Sequence, residues 1–339
     1  MTDRLQTLCS EFIQNRDAVK KAFKMEFSAI YPICASIFCS RGKSADPEML
    51  SDCRSLLKQK TSIFSNFRGS LTAPLCSMLS AGGAPEGKLD QAIENYAILK
   101  GQFLGSQYLA LVAFLLADLG VAGQVDSLAE RGKAIYRRMK EEHPFLTSGE
   151  DSVLAVLMAF SDRSNDALVE DMENCYQLLK NRFYASNAVQ SVSHVLALAP
   201  GEPRKKVERM IALLDGITAA GGKYGKNYEL SAIAALSILE GPTEQFVSEM
   251  MEVDAFLARQ KGYGFLSCDR KTRMMHAAML VSSLHQPEPE SAALADRAAR
   301  TATANAPLTA TLAMIAAQQA AMCAIIVSTS TSSAAASSH

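Results

Sequence analysis

The sequence predicts an all-α protein: an α/α helical-hairpin repeat array with a period of about 40 residues, wound into a strongly curved superhelix or an α/α toroid. Three observations predict it. Tyr96, Tyr136 and Tyr176 stand 40 residues apart, in segments sharing one order of residue types: Tyr, Leu or Met, Lys, Phe, Ser, then an apolar run. Stacked helical hairpins leave a period of that size, because each unit buries its apolar face on its neighbours. Within a unit, the first segment is amphipathic and the second is apolar nearly all round, as in "LALVAFLLA" at 109–117 and "VLAVLMAF" at 153–160. A helix apolar on every side is buried on every side. These runs are also too short to cross a bilayer, so they read as inner helices wrapped by amphipathic outer ones. An open array would leave their concave face wet, hence the expectation of strong curvature or closure.

Taken in order, residues 5–40 supply a first hairpin and 56–79 a weaker copy of the repeat. The clearest units follow at 96–117, 136–159 and 175–198, then weaker ones at 213–239 and 253–280, and a last hairpin over 290–327. In the fourth unit Leu128, Gly132, Ile135 and Met139 line one face of the outer helix, with Glu130, Arg131, Lys133 and Arg137 on the others. Pro144 ends that helix near His143. Phe103, Phe145 and Phe183 mark one place in three units. Thr147 with Glu150 three residues later fits a capping box, and Ser106, Ser148 and Ser186 head their inner helices as N-caps.

Residues 306–327 carry no charge and are long enough to span a bilayer. Gln318 and Gln319 at the centre, with Thr309 and Thr311, favour a buried last helix over 308–326 instead. The chain thus reads as a single α-helical repeat domain over 1–327, seven to eight hairpins, followed by a disordered Ser/Ala-rich tail over 328–339.

Composition bounds the function. Hydrophobic residues make up 48% and charged residues 20%, as in a folded globular chain. Lys and Arg number 34 against 35 Asp and Glu, a balance that argues against nucleic acid as partner. The eight cysteines have no CxxC spacing and lie mostly in apolar segments, so they read as buried thiols of a reducing cytoplasm. No metal or cofactor is expected: HxxxH, HxH, CxxC, Walker A, GxSxG and HExxH patterns are absent, and "GGKYGKN" at 221–227 is better explained as a Gly-rich helix end than as a phosphate loop.

Three stretches, "YRRMKEEHPFLTSGEDSVLAVLMA", "NCYQLLKNRFYASNAVQSVSHVLALAPGEP" and "FSNFRGSLTAPLCSML", resemble the bacterial domain-of-unknown-function family numbered 4003, found mainly in Firmicutes. The resemblance runs over about residues 10–320. Its most specific piece is the block from Lys140 to Ser148. It implies a bacterial, cytoplasmic, all-helical protein and transfers no catalytic residue.

The polar exceptions on the inner helices mark the candidate site. Asn187, Gln190 or Ser191, and His194 form a polar stripe at helical spacing in the fifth unit, and Asp269, Arg273 and His276 repeat it in the seventh. Asn227, with Ser231, lies between them, and Asp151 holds the corresponding place in the fourth. These eight residues, Asp151, Asn187, Gln190, His194, Asn227, Asp269, Arg273 and His276, are expected to face one cavity or groove at the N-terminal rim of the inner helices. Aligned helix N-termini there would favour a small anionic ligand. No catalytic motif stands out, so whether the chain is an enzyme stays open. The leading reading is a binding or scaffold module for a peptide or protein partner. The alternative is a toroid-like enzyme or small-ligand receptor. Neither reading involves a membrane.

Overall fold

The computed structural model describes residues 1–264, 267–286 and 309–323. Among them every regular element is a helix. In order these are α1 (Asp3–Ala22), α2 (Ile30–Cys39), α3 (Pro47–Lys60), α4 (Thr72–Gly82), α5 (Pro85–Leu99), α6 (Gln107–Asp118), α7 (Val125–Glu142), α8 (Asp151–Met158), α9 (Asn165–Leu179), α10 (Ser186–Leu198), α11 (Pro203–Ala219), α12 (Leu230–Ile238), α13 (Thr243–Leu257) and α14 (Arg270–His285). A further helix, α15, covers residues 309–323. No helix among the described residues is long and apolar enough to cross a membrane. Most of the hairpin expected over 290–327, and the tail over 328–339, lie outside the described residues.

Local sequence sets the helix starts. Pro47, Pro85 and Pro203 occupy first-turn positions, where a missing N–H costs nothing. Thr2, Ser106, Ser164 and Asp269 cap α1, α6, α9 and α14 by accepting from backbone N–H groups. Ser106 therefore acts as expected. Ser186 does not: α10 starts without a side-chain cap.

Each odd-numbered helix packs on the even-numbered helix that follows it. The odd helices also touch one another in sequence from α1 to α13, and α13 returns to α1. The even helices do the same from α2 to α14, and α14 returns to α2. All ten residues of α2 and all eight of α8 are buried, whereas α7 buries only Val125, Leu128, Ala129, Gly132, Ile135 and Met139. At Gly132 the two layers meet closely: a Cβ there would stand 2.8 Å from Val156 Cγ2 and 3.1 Å from its Cα.

Successive units are joined by aromatic contacts. Phe67 meets Tyr96 edge-on at 5.2 Å, Phe103 meets Tyr136 at 5.9 Å, and His143 meets Tyr176 at 4.3 Å. This corrects the expected alignment. Phe145 is 98% exposed. His143 takes its place, following Tyr136 at the same interval by which Phe103 follows Tyr96. The fourth unit has a longer loop, so matching by residue type selected the wrong aromatic ring.

Helix α15 is buried or half-buried along its whole length. Gln318 Nε2 donates to Ser36 Oγ of α2 at 3.3 Å, and Ser283 of α14 points its hydroxyl to Met314 Sδ at 3.9 Å.

Candidate ligand-binding site

A cavity of about 290 Å³ lies where the first turns of α8, α10 and α12 meet the end of α15. Glu150 and Asp151 come from the head of α8, Asn187 and Ser191 from α10, Asn227, Tyr228 and Ser231 from the head of α12, and Gln319 and Cys323 from α15. Two lining side chains are buried with a polar atom left unpartnered among the described residues: Ser231 Oγ, in a residue 1% exposed, and Gln319 Oε1, in a residue 2% exposed. Buried polar atoms normally have a partner, and each exception calls for one. Burial pushes the Cys323 thiol well above its ordinary value, which makes it a poor nucleophile.

Asp151 is the pivotal group. Its Oδ2 accepts from the Ser148 N–H at 2.8 Å, and its Oδ1 stands 3.5 Å from His194 Nδ1. Burial pushes the Asp151 carboxyl up to about 7 and also raises the Glu150 carboxyl. Burial, helped by the charge of His143, lowers His194 to about 3. The pair therefore tends to the neutral acid facing a neutral imidazole, whose Nδ1 has no other partner. Gln190 and His194 are buried behind this wall rather than on its surface. Gln190 Nε2 donates to Thr147 Oγ1 at 2.9 Å, and the Thr147 hydroxyl donates to the Met139 carbonyl at 3.0 Å. Thr147 thus adds a second hydrogen bond to the Met139 carbonyl, which also accepts the His143 N–H at 2.9 Å, and does not form the expected capping box with Glu150.

The lining contains two carboxyl groups and no Lys, Arg or His. The positive ends of two helices are already occupied by the chain itself. Asp151 serves α8, and Glu229 Oε2 accepts the Asn227 N–H at 3.0 Å ahead of α12. An anionic ligand therefore has no favourable place here, contrary to the expectation from aligned helix N-termini.

The seventh-unit residues go elsewhere. Asp269 caps α14 through the Thr272 N–H at 2.8 Å. Arg273 Nε binds Asp254 Oδ1 of α13 at 2.6 Å, beside Arg270 Nε on Oδ2 at 3.2 Å. His276 Nδ1 pairs with the Tyr263 hydroxyl at 3.0 Å and its ring faces Phe12 of α1 at 6.1 Å. Burial lowers His276 to about 3. None of the three lines the cavity. Asp254, 5% exposed on the neighbouring outer helix, turns this stripe into a buried ion pair. Asp151, Asn187 and Asn227 line one cavity, Gln190 and His194 are buried behind it, Asp269 caps α14, and Arg273 and His276 hold α14 to its neighbours. Among the described residues no three His, Cys, Asp or Glu side chains gather to hold a metal ion.

A family model described as "Protein of unknown function (DUF4003)" matches residues 15–320. The chain belongs to this family. It is 27% identical over 231 residues to the uncharacterized protein YeaA of Bacillus subtilis (strain 168), covering 66% of this chain and 69% of that protein. No solved structure matches. Family membership carries no activity to the cavity, so its chemistry has to be read from its own atoms.

Sequence reasoning missed Tyr228 and Gln319 as lining residues. Gln319 was legible as an argument against a membrane span only. Its neighbourhood with the heads of α8, α10 and α12 depends on where α15 docks. A pair of adjacent glutamines in an uncharged helix was the available signal, since buried amides need partners.

Proposed function

We propose that residues 1–327 form one domain, a closed α/α ring of seven helical hairpins with α15 lying inside it, and that the rim cavity receives a small polar ligand. The return of α13 and α14 to α1 and α2 supports closure. The contacts of α15 with α2 and α14, and its share in a cavity with α8, α10 and α12, support its place inside the ring. With that centre filled, the inner helices offer no open groove for a peptide, which disfavours the scaffold reading.

The observation that carries the ligand reading is the unpartnered pair, Ser231 Oγ and Gln319 Oε1, in one cavity with Asp151, Asn187 and Asn227. Gln319 Oε1 can only accept, the Glu150 carboxyl adds acceptor oxygens, and no Lys, Arg or His lines the cavity. The ligand is therefore a donor-bearing molecule such as an amine or amino alcohol. A volume of about 290 Å³ sits at the small end of ligand cavities. An enzymatic role is favoured by one feature, the Asp151 carboxyl held at about 7, a value suited to general acid–base work near neutrality.

The test is thermal unfolding of the full chain with panels of small amines, carboxylates and phosphates. Amines are expected to raise the melting temperature by mass action, and Gln319→Leu is expected to abolish the shift while leaving the unliganded protein folded. A response confined to the anions, no response at all, or a shift unchanged in Gln319→Leu refutes the reading.

A further inference from the structure

Six of the seven loops that join an odd helix to the next even helix carry exposed apolar side chains among the described residues. Met25, Phe27, Ile63, Phe64, Leu104, Phe145, Tyr184 and Tyr228 all stand in them. Every exposed large apolar side chain among the described residues belongs to these loops, apart from Met1 and Met49. Several project fully: Phe64 is 91% exposed, Leu104 91%, Phe145 98% and Tyr184 102%. The loops all follow odd helices, which pack on one another in sequence, and four of the loops reach onto an element of the next helix pair. Asn66 bonds the Tyr96 hydroxyl at 2.7 Å, Phe103 packs on Tyr136, His143 on Tyr176, and Tyr228 reaches Thr272.

The exposed charge of this rim is positive. Lys24, Lys180, Lys223, Lys226 and Lys261 are exposed and have no carboxylate partner among the described residues. The acids of the same loops are withdrawn: Glu26 and Glu150 are half-buried, Glu229 is buried, and Asp269 is spent on capping α14. The opposite rim differs. Two of its cations are committed inward, Arg41 to Asp118 and Arg163 to Asp171 at 2.6 Å, while Lys43 is exposed. Exposed apolar groups that recur in loop after loop mark an interaction surface.

We propose that this rim docks on an anionic lipid bilayer, with the apolar loop tips in the interface and the lysines against the headgroups. The form of the surface selects the occupant. The tips stand singly on separate loops with cations between them, so there is no groove and no continuous apolar floor for a folded partner. A rigid protein would need a matching pocket for each tip, whereas a bilayer accommodates them all. Apolar and aromatic groups at the interface, backed by basic residues, are what surface attachment requires. This departs from the expectation of no membrane partner, which weighed only membrane-spanning helices.

The test is cosedimentation of the full chain with vesicles of phosphatidylcholine, with and without phosphatidylglycerol. Binding to the phosphatidylglycerol vesicles is expected, weakening as salt is raised. Lys223→Glu/Lys226→Glu should weaken it roughly tenfold or more, and Phe64→Ser/Phe145→Ser should weaken it as well. These side chains are exposed, so both variants should unfold at the wild-type temperature. The proposal is overturned by absence of binding to phosphatidylglycerol vesicles at low salt, by equal binding to phosphatidylcholine alone, or by binding unchanged in both variants. Retention by an acidic polypeptide in place of vesicles also overturns it, and assigns the rim to a protein.

Discussion

Asp151 couples the candidate site to folding. Unfolded, its carboxyl would titrate near about 4; folded, burial holds it up to about 7. Between those values the folded chain binds more protons than the unfolded one. Stability from this group is therefore complete at low pH and is lost as pH rises through about 4 to 7. His194 runs the other way: held down to about 3, it costs stability as pH falls below its unfolded value of about 6.5. Asp151→Asn isolates the first effect and keeps an acceptor for the Ser148 N–H. It is expected to raise stability by about 1–3 kcal/mol near pH 8, with the gain vanishing below about pH 4. Denaturant midpoints at the two pH values check this, and a less stable variant near pH 8 refutes it. Asp151, Asn187 and Asn227 were legible because each interrupts or heads an apolar run. Arg273 and His276 showed the same spacing, but their partners are Asp254 on α13 and Tyr263 in a loop. A pattern confined to one helix cannot reveal what faces it.

Among the elements, the contact of α7 with α8 shows why residue size matters more than helix preference. Alanine at position 132 would favour the helix by roughly 1 kcal/mol over glycine. Its Cβ would also press on Val156, including the Cα at 3.1 Å, and backbone gives way less readily than a side-chain tip. Overpacking of this kind costs about 1–3 kcal/mol. Gly132→Ala is therefore expected to destabilise the protein, by up to about 2 kcal/mol, as read from its denaturant midpoint. A gain in stability would mean that the two helices separate freely. The amphipathic stripe of α7 was readable residue by residue, because Leu128, Gly132, Ile135 and Met139 are all buried as expected. The loop after it was not. His143 packs its ring against Tyr176 and also pairs with Glu173 through Nε2 at 2.8 Å, a double use that residue type does not announce.

For the whole molecule, the decisive element is α15. Ala313, Ala316 and Met322 are 0% exposed, and Gln319 supplies part of the cavity wall. Stopping the chain before Thr309 would expose the apolar faces that α15 covers. The truncated protein is expected to melt at lower temperature, to bind a hydrophobic dye and to lose any ligand response. Unchanged melting refutes this. The helical nature of the segment and its burial were legible from its uncharged length and central glutamines. Its site of docking was not, because an alanine-rich helix offers similar faces in several directions.

The packing of α13 on α1 and of α14 on α2 has a consequence for the time course of synthesis. In an open solenoid, early units can fold as they emerge, each resting on the one before. Here α1 and α2 have one flank that only α13 and α14 can cover, and those helices are made more than 200 residues later. Contacts of such long sequence separation form slowly and leave apolar surface exposed meanwhile. On the closed-ring reading proposed above, a nascent chain released before α13 and α14 would be a client for chaperones, and the finished chain would bring these helices onto α1 and α2 in a late cooperative step.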